Sequence, residues 1–141
     1  MKAKLLISIA FICGLLAVGD LAFAHHGAAA YDMTKPAVLK SAVVTKFAWI
    51  NPHAIIGFDV KDDSGNVSHW TAEIGSPAAV SLVGWNRTTL KPGDVITAYV
   101  WQSKKGLPVG RLNKIIMADG TVMRDSQTGA DNGGRADNDV K

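Results

Sequence analysis

"HAIIGFDVKDDSGNVSHWTAEIG", residues 53–75, decides the fold. Two runs, "HAIIGFDVK" (53–61) and "VSHWTAEIG" (67–75), alternate apolar and polar positions, and "DDSGN" between them is a turn signal. Alternation puts Ala54, Ile56, Phe58 and Val60 on one face of the first strand, and Trp70, Ala72 and Ile74 on the same face of the second. That face is the expected core. The other face carries His53, Ile55, Gly57 and Asp59, then Val67, His69, Thr71 and Glu73. Setting core against core requires a three-residue loop, Asp63-Ser64-Gly65, with Gly65 in the left-handed region. Phe58 then faces Trp70, Ile56 faces Ala72, Asp59 faces His69 and Ile55 faces Glu73. His53 becomes a diagonal neighbour of Glu73. His53 and His69 fall roughly 20 Å apart at about 3.3 Å per residue, too far to share a metal ion. His69 is expected to make a surface pair with Asp59.

Outward from this hairpin, "VLKSAVVTKFAWI" (38–50) reads as a preceding strand, and Asn51-Pro52 stops it. "SPAAVSLVGW" (76–85) reads as one short helix, with Ser76 as N-cap, Pro77 at the first helical position and Gly84 at the end. "LKPGD" is a turn before a fourth strand at 95–101; a fifth follows at 109–118 and a short last one at 121–124. Three strands, one helix and two strands are the order of a five-stranded OB-like β-barrel, mainly β, over residues 37–124. An incomplete sandwich or another small open barrel are the alternatives. From Asp125 onward, "DSQTGADNGGRADNDVK" has no aromatic residue and reads as a disordered polar tail over 125–141.

The N-terminal residues 1–24 read as a cleaved signal peptide. Lys2 and Lys4 precede an apolar run, and Ala22-Phe23-Ala24 is a small-x-small cleavage site. A retained anchor is the competing reading, but Asp20 interrupts the run before it reaches spanning length. Cys13, the single cysteine, follows Phe11-Ile12 rather than small residues, which argues against a lipoprotein site, and it is expected to leave with the leader. The mature chain then has no disulfide and must rely on its core. Losing Lys2, Lys4 and Asp20 lowers the formal charge of +3 by one, too little to call for a polyanion partner. Export also argues against nucleic acid. The expected compartment is the periplasm, with no membrane anchor after cleavage.

Laid out this way, the chain resembles a family of small exported bacterial proteins known only as a domain of unknown function. The matching pieces are "AHHG" at 24–27, Tyr31-Asp32, "WINPH" at 49–53, "WTAEIGSP" at 70–77, "GWNR" at 84–87 and "LKPGD" at 90–94. The resemblance implies export and a small β-barrel, and it carries no activity.

Cleavage after Ala24 would make His25 the first residue and His26 the second, ahead of an extended lead-in over 25–36. An N-terminal histidine offers its amine and imidazole to one ion, both deprotonating near neutrality, and nitrogen ligands of this kind favour Cu(II). The lead-in is long enough at 3.3–3.6 Å per residue to fold back on the barrel. His53, just after a proline at a barrel rim, and Glu73 beside it complete an expected copper set of His25, His26, His53 and Glu73. The alternative is a metal-free module that binds a small molecule or a protein, with His53 bonded to backbone and the His-His pair incidental. Four tryptophans, Trp49, Trp70, Trp85 and Trp101, serve either a ligand face or the core. No G-x-S-x-G stretch or triad is present, so binding rather than catalysis is expected. Lys104, Lys105, Arg111 and Lys114 read as a mild basic patch on a solvated face.

Overall fold

The computed structural model describes residues 28–125. Its strands are β1 (Ala37–Ala48), β2 (Ile55–Lys61), β3 (Val67–Glu73), β4 (Val95–Gln102), β5 (Val109–Met117) and β6 (Val122–Arg124). One helix, α1 (Pro77–Ser81), lies between β3 and β4. The sheet order is β3-β2-β1-β4-β5-β6, and a parallel β3–β5 pairing closes the first five strands into a barrel. β6 adds to the outer edge of β5.

β1 serves two neighbours in turn. Its first part pairs with β4 from Ala37↔Val100 to Val43↔Val95, and its second with β2 from Val43↔Asp59 to Ala48↔Ile55. The ladder slips between Leu39 and Ala42, where Ser41 takes a φ of 53°, and again between Val44 and Lys46. Bulges of this kind increase local twist and let one strand curve around a small barrel. Closure at the other side depends on Gly110. A Cβ at this position would collide with the Trp101 carbonyl oxygen and with Val100 Cγ1.

The β2–β3 hairpin has the expected register, from Ile55↔Glu73 through Phe58↔Trp70 and Asp59↔His69 to Lys61↔Val67. Gly65 turns at φ 90°. Asp62 holds the turn, its carboxylate accepting from the Ser64 and Asn66 amides and the Asn66 side chain. These bonds hold the Asp62 carboxyl below its ordinary value. Ser76 Oγ accepts from the Ala79 amide, so the N-cap forms as its chemistry requires.

The core joins both faces of the argument: Val44, Ile56, Phe58, Ala72, Ile74, Val80, Trp85, Val100, Leu112 and Ile115 are all buried. Trp85 donates its Nε1–H to the Arg124 carbonyl at 2.6 Å, tying the segment after α1 to β6. Trp70 stacks on Phe58, with ring centroids 6.5 Å apart, but is only half-buried. The reason is topological: β5 covers β3 only at Thr71–Glu73, so the outer half of the hairpin projects past the barrel.

Three expectations change. Asp125, assigned to the tail from composition, is fully buried against the barrel, and residues 126–141 lie outside the described residues. Arg111 and Lys114 are not a solvated patch. Arg111 is buried on Asp125, and Lys114 lies 4.8 Å over the Tyr99 ring. A burial cost that large for a cation is met by a carboxylate or a ring face. The lead-in is not extended throughout, because Ala28–Ala30 forms a 3-10 turn before the chain straightens.

Candidate functional site

The C-terminal end of β3 gathers a polar group on the outside of the barrel. Glu73 points outward because its neighbours Ala72 and Ile74 point in. The Asn51–Pro52 bond is cis, and the chain re-enters the sheet through Ala54, which exchanges backbone bonds with Ile74 and Gly75. His53 lies beside Glu73, and its Nδ1 contacts Glu73 Oε1. The diagonal pair expected from the register is a direct one. His53 Nε2 has no partner among the described residues, and the side chain is 40% exposed.

The lead-in reaches the same carboxylate from the other side. Tyr31 donates its hydroxyl to Glu73 Oε2 at 3.4 Å. Around it, Tyr31 bridges to Ser103, the Asp32 amide donates to the Gln102 carbonyl at 2.8 Å, and the Lys104 amide donates to the Ala30 carbonyl at 3.1 Å. Burial, then the negative Glu73 and the bond to it, push the Tyr31 phenol above its ordinary value; the Arg111 guanidinium draws it partly back.

Behind Glu73 stands a buried ion pair. The parallel register places Arg111 opposite Glu73. Arg111 donates through Nε and Nη2 to Asp125 Oδ2 at 3.1 and 3.0 Å, and Asp125 Oδ1 accepts from the Gly75 amide at 2.5 Å. The Asp125 amide in turn bonds the Asn113 carbonyl. Asp125 thus ties the end of β3, β5 and the chain after β6 into one unit.

Of the expected metal ligands, His53 and Glu73 are together. His25 and His26 lie outside the described residues. Among the described residues no group of three histidine, cysteine or acidic side chains gathers for a metal ion. His69 pairs with Asp59 at 2.7 Å, as the register requires, at the far end of the hairpin. Tyr31, Arg111 and Asp125 were not expected here. The Tyr31-Asp32 dipeptide was a visible signal for the first; nothing in the local pattern pointed to the other two.

A second feature lies beside the lead-in. An open groove of about 600 Å³ runs between Asp32, Lys35 and Pro36 on one wall and Gln102, Ser103 and Lys104 on the other. Among the described residues no helix is long and apolar enough to cross a membrane.

The model of a family of unknown function (DUF6152) matches residues 13–112. No curated protein and no solved structure matches the chain.

Proposed function

This chain belongs to the DUF6152 family, whose function is unknown, and we propose that it is an exported periplasmic binding protein that holds copper. The ligands are the processed N-terminal histidines, His25 and His26, with His53, and Glu73 supports them. One observation carries the reading: His53 and the lead-in meet on a single carboxylate, Glu73. Metal-binding imidazoles are commonly oriented by a carboxylate on one ring nitrogen, which leaves the other for the ion. With Nδ1 protonated toward Glu73, Nε2 of His53 is the metal-facing atom. His25 is six residues before Tyr31; with Ala28–Ala30 in a 3-10 turn at about 2 Å per residue, its tether spans up to roughly 16 Å, long enough to reach toward His53. An amine and two or three imidazoles are a set that favours Cu(II) among divalent ions.

Cu(II) titration of the exported, processed protein tests this, with EPR to count nitrogen ligands. One ion per chain is expected. The affinity should fall by about tenfold or more in His53→Ala, in Glu73→Gln and in a chain with methionine added before His25. Weak binding indifferent to all three overturns the copper site. The mass of the exported protein should place His25 first; retention of residues 1–24 overturns the processed terminus.

The groove favours a second reading, a metal-free module for a small ligand or protein, with Lys35 and Lys104 among the residues that line it. That reading is indifferent to the N-terminus, and the added-methionine chain separates the two.

A further inference from the structure

We infer that Tyr31 is a positioning residue: its hydroxyl, bonded to Glu73 Oε2, latches the lead-in to the barrel beside His53. Its consequence for copper rests on the proposed metal site; the latch itself does not.

At the end of β4 the lead-in pairs through the isolated Tyr31–Ser103 bridge, whose two backbone bonds run from the Asp32 amide to the Gln102 carbonyl and from the Lys104 amide to the Ala30 carbonyl. Asp32 spends its side chain locally, accepting from the Thr34 amide and hydroxyl. Tyr31 crosses from this segment to β3, 42 residues away, where it meets the carboxylate that also holds His53. The groups facing the phenol are Glu73 and Arg111, and Glu73 in turn faces His53. At 3.4 Å the phenol–carboxylate contact is long for a hydrogen bond, and its hold is the attraction of the O–H dipole to the Glu73 charge. One residue therefore joins the histidine-bearing terminus to the carboxylate that orients His53.

The test is amide hydrogen exchange in the full, exported chain. In Tyr31→Phe, which keeps the ring and loses the donor, exchange at the Asp32 and Lys104 amides should accelerate about tenfold, while Phe58 and Trp70 in the hairpin are unchanged. Unchanged exchange at Asp32 and Lys104 overturns the latch whatever copper does. Copper affinity should fall together with the faster exchange. Full affinity retained by a Tyr31→Phe chain with a loosened lead-in overturns the positioning role. If the wild type binds no copper, the metal site fails while the exchange result still decides the latch. A second readout separates the bond from packing. In a Tyr99→Phe background, the Tyr31 phenol should titrate above ordinary tyrosine, and Glu73→Gln should move it back down. A titration indifferent to Glu73→Gln overturns the bond.

Discussion

Two histidine–carboxylate pairs lie on the outer face of one hairpin. His69 meets Asp59 near its tip, and His53 meets Glu73 at its base. The first pair is four-fifths exposed at the histidine, with half-open surroundings. The second has the lead-in on one side and the Arg111–Asp125 pair behind it. The chemical groups are alike. What differs is barrel closure, which covers β3 at Thr71–Glu73 and leaves Val67–Trp70 beyond it. A histidine beside a carboxylate is therefore a weak signal alone, and its depth in the fold decides what it can do.

The comparison breaks if closure is removed, so the largest effect belongs to Gly110. It stands one residue before Arg111, in the register that sets Arg111 opposite Glu73. Gly110→Ala drives a methyl into the Trp101 carbonyl, and backbone cannot rotate away as a side chain does. We expect a loss of about 4 kcal/mol in urea unfolding, beyond the usual range for core overpacking. A loss under about 1 kcal/mol would mean that the strands can part here without consequence, and the base of the hairpin would then be no more enclosed than its tip.

Asp125→Ala should cost somewhat less, about 3 kcal/mol by the same measurement. It strips the partner from a buried guanidinium and the acceptor from the Gly75 amide. Arg111 can turn toward Glu73, opposite it in the parallel register, which limits the loss. That turn would compete with the Tyr31 hydroxyl for the same carboxylate. The variant should therefore loosen the lead-in as well as the barrel. The phenol bond also has a pH limit. A raised folded value means that the folded chain holds this proton more tightly than the unfolded one. Its stabilisation is complete below the ordinary tyrosine value and is lost as pH rises through the raised one.

The hairpin was legible because a period of two and one turn leave a single register that buries Phe58 and Ile56 against Trp70 and Ala72. From that register the His53–Glu73 neighbourhood followed without any structure. The ion pair behind it did not. Arg111 and Asp125 are 14 residues apart, and one of them sits at the edge of a Gly- and Asn-rich run whose composition says nothing about burial. Arg111 and Lys114 looked like surface cations because the groups that cover them, Asp125 and the Tyr99 ring, lie elsewhere in the chain. Tyr31 was visible as a residue, but its target, 42 positions on, depends on where the lead-in docks.

The smallest effect is the sharpest control. His69→Ala removes a pair of the same kind from the same face of the same hairpin. Its histidine is exposed to water, so Coulomb attraction is screened and the side chains give up rotamer freedom to meet. We expect stability to change by no more than about 0.5 kcal/mol. Copper affinity should not change, since strand geometry sets His69 at the opposite end from His53. Measured beside His53→Ala, this variant asks whether copper reads the histidine or its place in the barrel. Equal losses in the two would mean that copper binds any exposed imidazole of this chain, and the enclosure around Glu73 would have no part in it. A loss confined to His53→Ala would tie the ion to the end of β3 that the barrel closes.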